Sequence, residues 1–418
     1  MNCGSPVGAS AAAVQAGTGQ AMIRYMSERP EFEAVGHCGG RVTIRVLTDE
    51  RGRRGYQVTW SHCRPVPAVM FCVWALPSGI PFCLAELGGI GSPVKVPPVP
   101  GGVFQVFVSS DSEGLFGRCC PACNGYWRAS VRDPQFCPYC GVSAPTLNFL
   151  TPGQVSYVAQ FCAKMREVLE SDVDGEHVID MDAVADAAGR ETEKPPFYYA
   201  EESQQNRFTC AECGEVNDIL GRFGYCSVCS TWNGLQELTE KVVPGLRARI
   251  NSGGPHESYV RDAVSEFDSL VGGYVVELVR RVGMSSARKN RLSKRTFQNL
   301  KSAVADLREA MDIDLLEGIS VDDMEFAGLM FHRRHVYEHK GGVVDEKYIA
   351  DSGDKSVRLG QALHESAESA HRIVNLIVRM ARNLHRGFHE IVPPNEEAIR
   401  FHKRLSNRAG SSGGAGAG

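Results

Sequence analysis

Apolar and polar residues alternate with a period of two along two short segments near the start of the chain. The alternating apolar positions are Val42, Ile44 and Val46 in the first segment and Tyr56, Val58 and Trp60 in the second. This pattern, with a turn rich in Gly and Arg between the segments, predicts a β-hairpin. Two further strand candidates, Ala68–Leu76 and Val103–Ser110, extend the prediction to a small all-β domain over residues 35–112.

Toward the C-terminus the spacing of apolar residues changes to three and four, which is typical of helices with one buried face. Four helices are predicted in this region, at Tyr259–Val282, Thr296–Asp312, Val321–Lys340 and Leu363–Phe388. Because short links join them, we expect an antiparallel four-helix bundle over residues 239–395.

The remaining segments complete the predicted domain order. Residues 1–34 are small and polar and are expected to be poorly ordered, and residues 396–418 are expected to form a flexible tail. Residues 151–205 are interpreted as a helix, Gly153–Glu170, followed by an acidic segment that is either a solvated linker or a short helix. The fold class predicted is therefore multidomain α+β, with two cysteine-rich segments at 113–150 and 206–238.

Composition and charge narrow the function classes. The chain is 43% hydrophobic and 22% charged, as in globular proteins. Its net charge of −4 argues against binding of nucleic acid through positive charge spread over the whole surface. The longest apolar stretch, Val66–Leu76, contains a proline and is too short for a membrane span. With no secretory signal visible and an odd number of cysteines, 15, we expect a cytoplasmic protein without membrane contact.

Eight of the cysteines form four C-x-x-C pairs, which is the spacing of zinc ribbons. The predicted ligands are Cys120, Cys123, Cys137 and Cys140 for one ion and Cys210, Cys213, Cys226 and Cys229 for the other. Four protein ligands leave no open coordination position, so both zinc ions are expected to be structural and no catalytic metal is expected. Cys119 is an alternative to Cys120 as a ligand, and a redox role for the C-x-x-C pairs fits their paired arrangement less well.

The segment Phe331–Gly342 is dense in Arg and His at the end of a predicted helix. Within it, Arg334 is followed by the polar residue His335, three further positions and His339. The segment resembles the HEPN superfamily of RNA-cleaving domains in this R-x4-H motif, in the glycines that end the helix, Gly341 and Gly342, and in the four predicted helices around it. The resemblance covers roughly residues 245–392. It implies that Arg334 and His339, with His335, act on RNA in a homodimer that brings two motifs together.

The chemistry of these residue types agrees with that implication. RNA supplies its own nucleophile, the 2′-OH, and a histidine can move a proton to or from the reacting oxygens near neutral pH. An arginine can hold the phosphate and stabilise the charge that develops on it. The expected reaction is a metal-independent cleavage that leaves a 2′,3′-cyclic phosphate. The alternative is that Arg334 and His339 only form salt bridges or solvate a helix end.

Further basic residues are candidates for binding the RNA backbone. They are Arg333 and the cluster Arg288, Lys289, Arg291, Lys294 and Arg295. Aromatic and basic residues beside the cysteine pairs, such as Trp127 and Trp232, either stack on bases or fill small cores.

Two hypotheses of function follow from these patterns. The first is an endoribonuclease with a toxin-like or antiviral defence role, which the resemblance implies together with an antidote or trigger protein as a partner. The second is a non-catalytic zinc-ribbon adaptor that binds nucleic acid or protein and is dimerised by its helices.

Overall fold

The computed structural model describes residues 40–61, 69–89, 100–111, 113–130, 132–171, 173–191 and 204–412. The predicted poorly ordered segment 1–34 and the end of the predicted tail, 413–418, lie outside the described residues. The chain is mixed α+β, as predicted, with small antiparallel sheets and helices. It divides into two compact units, of which the first contains 1–221, 226–229 and 398–418 and the second contains 222–225 and 230–397.

The first unit contains three small sheets. Its strands are β1 (Arg41–Thr48), β2 (Arg54–Ser61), β3 (Val69–Ala75), β4 (Pro81–Gly89), β5 (Phe104–Ser109), β6 (Phe116–Cys119), β7 (Tyr126–Ala129), β8 (Gly175–Asp180), β9 (Asn206–Thr209) and β10 (Val216–Ile219). Its helices are α1 (Pro152–Glu170), α2 (Met181–Glu191) and, from residue 398 onward, α11 (Glu396–Ser412). The sheets have the strand orders β2-β1-β8, β4-β3-β5 and β6-β7-β10-β9.

The predicted hairpin is present, with Val42 paired to Trp60 and Ile44 paired to Val58. The alternation has the expected cause, because Val42, Ile44 and Val46 are fully buried whereas Arg41, Arg45 and Leu47 are exposed. These side chains share one hydrophobic core with strands β3 and β5 and with Val158 and Phe161 of α1.

Three predictions for this unit differ from the structure. The acidic segment interpreted as a linker or short helix contains β8, which pairs along the free edge of β1 from Arg41–Asp180 to Val46–Gly175, and then α2. The small domain is therefore not all-β and does not end at residue 112, because β8, α1 and α2 complete its core. The predicted flexible tail forms α11, whose Ile399 is 5% exposed and packs in the core around the cysteines.

The second unit is helical. Its helices are α3 (Gly234–Glu237), which continues through a π-helical turn at Leu238–Val242 into α4 (Val243–Asn251), α5 (His256–Arg281), α6 (Ser286–Ser293), α7 (Leu300–Met311), α8 (Val321–His339), α9 (Glu346–Ser352) and α10 (Ala367–Ile391). Helix α5 packs against both α10 and α8, and α8 also contacts α7, α9 and α10. Four of these helices match the four predicted ones within a few residues, whereas α4, α6 and α9 were not predicted. No helix in the described part of the chain is long and apolar enough to cross a membrane.

Helix α8 carries the predicted motif, and local sequence explains where it begins and ends. Ser320 caps its first turn by accepting a hydrogen bond from the Asp323 backbone N–H at 3.3 Å. Ala327, Met330 and Phe331 are buried on one face. The helix ends at His339, where the Gly342 N–H reaches back to the Val336 carbonyl at 3.2 Å.

A buried ion cluster links β7 and β10 of the four-stranded sheet in the first unit. The guanidinium of Arg128 donates to Asp218 at 2.7 Å and pairs with Asp111 and Glu113 at 2.9 Å. Arg128 is 1% exposed, and Asp111 and Asp218 are 0% exposed. Removing one member of such a cluster leaves buried charge without compensation.

We predict that Arg128→Met lowers the free energy of unfolding by about 3–5 kcal/mol, because two buried carboxylates lose their cation. The matched control is Arg207→Met, since Arg207 pairs with Glu113 at the surface, where both side chains are 46% exposed. That change is expected to cost less than about 1 kcal/mol. Urea unfolding followed by fluorescence measures both variants, and equal losses would contradict the prediction.

Candidate functional sites

The eight predicted ligand cysteines form two groups of four, and within each group the sulfur atoms lie within 4.8 Å of one another. Pairs of sulfurs are 3.6 Å apart in Cys120–Cys140 and 3.4 Å apart in Cys213–Cys226. Four sulfurs at about 2.3 Å from a tetrahedral zinc ion would be about 3.8 Å apart, close to these distances. Each group can therefore hold a metal ion such as zinc. Cys120, and not Cys119, belongs to the first group.

All four C-x-x-C turns share one backbone geometry. The residue after the second cysteine has a positive φ in each turn: 57° at Asn124, 61° at Gly141, 71° at Gly214 and 61° at Ser230. This conformation favours glycine, which explains why glycine follows the second cysteine in two of the turns. Ala122 and Tyr139 each direct a backbone N–H at a cysteine sulfur, at 3.4 Å. Such contacts disperse the negative charge of metal-bound thiolates.

The two cysteine groups form one body, whereas the sequence suggested two separate ribbons. Strand β7 of the first pairs with β10 of the second, with Asn217 opposite Ala129 and Asp218 opposite Arg128. A single core contains cysteines of both groups together with Trp127 and Phe149. Trp127 is fully buried and Trp232 is 5% exposed, in the core of the helical unit. The hypothesis that these two rings stack on bases is therefore wrong.

We predict two bound metal ions per chain. Cys120→Ser and Cys210→Ser are each expected to lose one of them, because each removes a ligand from a different group. Cys119→Ser is the matched control, since Cys119 is adjacent in sequence but outside both groups. Elemental analysis of the purified variants gives the stoichiometry, and loss of an ion from Cys119→Ser would count against this ligand assignment.

A second candidate site lies in the helical unit, at a cavity of about 490 Å³ beside α8. Arg334 and His335 line it, together with His332, Lys301, Gln298 and Lys347. His339 is exposed one helical turn after His335, with the two ring centres 4.8 Å apart. The structure thus places Arg334 and His335 at the cavity and His339 beside His335, outside the cavity lining.

Arg334 is 7% exposed, yet no carboxylate of the described residues pairs with it. Its Nη1 donates to the Gln298 side-chain oxygen at 2.7 Å, and its buried Nε has no hydrogen-bond partner among the described residues. A buried guanidinium with an unused donor is unusual, because such a group costs free energy unless it is paired. The alternative in which Arg334 is held by salt bridges does not match these contacts.

Arg333, the adjacent residue, is arranged differently. It is 13% exposed and pairs with Glu365 at 2.9 Å and Asp354 at 3.1 Å, while Tyr348 accepts from its Nε at 3.3 Å. Burial opposes its charge, but hydrogen bonds to Glu365 and Tyr348 raise the pKa of Arg333 above its ordinary value. Arg333 therefore has two acidic partners within the chain, and its role in binding RNA stays a prediction.

The predicted basic cluster is partly available to a partner. Arg288, Lys289 and Arg291 lie on α6, and Lys294 and Arg295 follow it. Arg291 pairs with Glu309 at 3.4 Å and Arg295 with Asp306 at 2.9 Å. Arg288, Lys289 and Lys294 form no ion pair within the described residues. Lys301, the nearby lysine on α7, is the basic residue of this region that lines the cavity.

Sequence reasoning missed Gln298, His332 and Lys347 as neighbours of Arg334. The residues around Gln298 indicate only that a helix begins after it. Asn299 is a typical capping residue, and in the structure its side chain accepts a hydrogen bond from the Ser302 N–H at 3.0 Å. No family model, curated protein or solved structure matches this chain. The interpretation of the site therefore depends on its own geometry.

His335 has a perturbed proton affinity. Partial burial, followed by the neighbouring charges of His339, Lys347 and Arg334, lowers the pKa of His335 below its ordinary value. The neutral imidazole is thus favoured near neutral pH, which suits a group that accepts a proton.

We predict that His339→Asn raises the pKa of His335, because it removes a group that can carry positive charge at 4.8 Å between ring centres. Lys347→Met should act in the same direction. Proton NMR titration of the His335 ring gives the value in each variant. His364→Asn, at an 84% exposed histidine elsewhere, serves as the control and should leave it unchanged. An unchanged or lowered pKa in His339→Asn would reject the prediction.

Proposed function

We propose that this protein is a metal-independent endoribonuclease of the HEPN type, with Arg334, His335 and His339 as its catalytic residues. The proposal depends most on Arg334. This residue is buried, lines the cavity, and has a side-chain Nε without a hydrogen-bond partner among the described residues. A phosphate oxygen is the natural acceptor for such a group. The resemblance of the R-x4-H motif to that superfamily supplies RNA as the substrate.

The mechanism needs only groups on this chain and on RNA. Arg334 holds the scissile phosphate and stabilises the charge that builds on its oxygens. Neutral His335 accepts the proton of the 2′-OH, and His339 in its protonated form delivers a proton to the departing 5′-oxygen. The 2′-oxygen forms a bond to phosphorus as the bond to the 5′-oxygen breaks. The products are a 2′,3′-cyclic phosphate and a 5′-hydroxyl.

Homodimerisation is part of the proposal. Positions five apart on a helix differ by about 140° in direction, so Arg334 and His339 of one helix do not face the same point. A second copy that packs against α8 would bring the histidine of one chain toward the arginine of the other. The exposed His335 and His339 leave this face of α8 open to such a contact.

The remaining parts of the proposal concern partners and biology. The exposed Arg288 and Lys294, with the half-buried Lys289, are proposed to bind the RNA backbone. Zinc is proposed as the ion in both cysteine groups, because four thiolates in a tetrahedron are its preferred structural ligands. A toxin-like or antiviral defence role in the cytoplasm, with an antidote or trigger protein, follows from the resemblance alone.

We predict that the wild-type protein cleaves single-stranded RNA in buffer containing EDTA, with its cysteine-bound metal still in place. Arg334→Ala is expected to lower kcat by about 100-fold or more, because it removes the charge that stabilises the transition state. His339→Asn is expected to lower it by about 100-fold to 10,000-fold. Gel analysis of labelled RNA measures the rates, and end-group analysis identifies the cyclic phosphate.

Two controls sharpen the experiment. His364→Asn changes an exposed histidine outside the cavity and should retain full activity. Metal content and oligomeric state are measured for every variant, so that loss of fold is not mistaken for loss of catalysis. If the folded wild-type dimer binds RNA without cutting it, the adaptor hypothesis replaces the enzyme.

A further inference from the structure

The cavity beside Arg334 is built by elements of one chain: the start of α7, one face of α8, and α9 with the residue before it. Its volume of about 490 Å³ lies within the range of about 300–1,000 Å³ that is common for small-molecule sites. Its charged lining residues differ in burial, since Arg334 is buried while Lys301 and Lys347 are exposed. A ligand in this cavity would therefore meet a fixed guanidinium at depth and two adaptable lysines outside.

Gln298 holds Arg334 without neutralising it. The Gln298 oxygen accepts from Arg334 at 2.7 Å, and the Gln298 amide nitrogen donates to Asp268 at 2.8 Å. Asp268 is fixed in turn by the Phe297 backbone N–H at 2.5 Å. Because a carboxylate only accepts, Asp268 orients the amide so that its oxygen faces the arginine. Arg334 is thus positioned by a neutral group and keeps its full charge for a ligand.

The start of α7 supplies a second anion contact. This helix has 12 residues, and its first residues, Leu300 and Lys301, line the cavity with the capping residue Asn299. Asn299 accepts from Ser302, so it leaves the N–H groups of Leu300 and Lys301 without an intrahelical acceptor. A helix N-terminus of this kind favours negative charge.

Two carboxylates also line the cavity, Asp345 and Asp351. Asp345 pairs with Lys340 at 3.4 Å and caps α9 by accepting from the Tyr348 N–H at 2.8 Å, so its charge is partly balanced. Asp351 is exposed. Lys301, Arg334 and Lys347, together with the helix N-terminus, therefore outweigh the two carboxylates.

We propose that this cavity is a binding site for a phosphate monoester, complete within one chain, in which Gln298 is the positioning residue of Arg334. The excess positive charge matches a dianionic phosphate, and the volume accommodates a single nucleotide. The proposal rests on the proposed function only for the idea that the ligand is nucleotide in nature. It places the terminal phosphate of an RNA end or of a free nucleotide at Arg334, where this monoester competes with the scissile phosphate of the proposed reaction.

The test is a titration of the metal-loaded full chain with adenosine monophosphate, inorganic phosphate and adenosine, followed by calorimetry and phosphorus NMR. Adenosine monophosphate and phosphate are expected to bind, and uncharged adenosine is not. A 5′-phosphorylated oligoribonucleotide compared with its 5′-hydroxyl form distinguishes an RNA end from a free nucleotide as the source. Failure of wild type to bind either phosphate compound overturns the proposal.

Gln298→Glu is the decisive variant, because a carboxylate at this position would pair with Arg334 and neutralise it. Affinity for adenosine monophosphate is expected to fall about tenfold or more, while a role of Gln298 in packing alone would leave phosphate affinity unchanged once folding is matched. Gln298→Asn and Gln298→His keep a neutral acceptor and should retain more affinity than Gln298→Glu. Lys301→Glu, at an exposed position, should weaken binding without affecting the fold.

Lys355→Glu is the matched control, since it makes the same charge change at an exposed position outside the cavity lining and should leave the affinity unchanged. Equal losses in Lys355→Glu and Lys301→Glu would show only a long-range charge effect and would overturn the site. RNA cleavage without monoester binding would reject this inference and retain the nuclease. Monoester binding without cleavage would support the site and remove the proposed enzyme.

Discussion

The geometry of the first unit depends on bringing four thiol groups to within 4.8 Å of one another, twice. Four thiolates at that separation repel one another unless a cation lies between them, so the metal and the local fold are coupled. The coupling extends further than the ligands, because the cysteines are themselves part of the hydrophobic core that contains Trp127 and Phe149. The four strands of the shared sheet have only four residues each and could not be stable alone.

Two adjacent arginines in the helical unit, Arg333 and Arg334, differ in the charge of the side chains that they contact. Arg333 meets Glu365 and Asp354, so its charge is compensated and its donors are used. Arg334 meets Gln298, which accepts one hydrogen bond and contributes no charge. A protein that needed only stability would have little reason to bury the second cation. In the proposed function, a phosphate that enters the cavity would supply the missing negative charge.

The sequence predicted the features that depend on residues close to one another along the chain. Cysteine spacing identified the ligands, and apolar periodicity located the long helices, because both depend on neighbours within one or two turns. Strand β8 was missed because its partner β1 is more than a hundred residues away and its acidic composition masks the pattern. The R-x4-H spacing separates Arg334 from Arg333 in the sequence, but it does not show which of the two arginines has acidic partners. Their different roles depend on Gln298, Asp354 and Glu365, which only the folded chain brings near them.

The direction of side chains on α8 constrains any reaction at this site. Arg334 is buried and lines the cavity, whereas His339, about 140° further around the helix, is exposed. His335 lies between these two environments, since it is exposed, lines the cavity and has its ring 4.8 Å from that of His339. One chain thus separates anion binding from proton delivery and connects them only through His335. For both to act on one phosphate, the exposed histidine face must meet a cavity from another copy, which makes the assembly of two chains a chemical requirement of the proposed reaction.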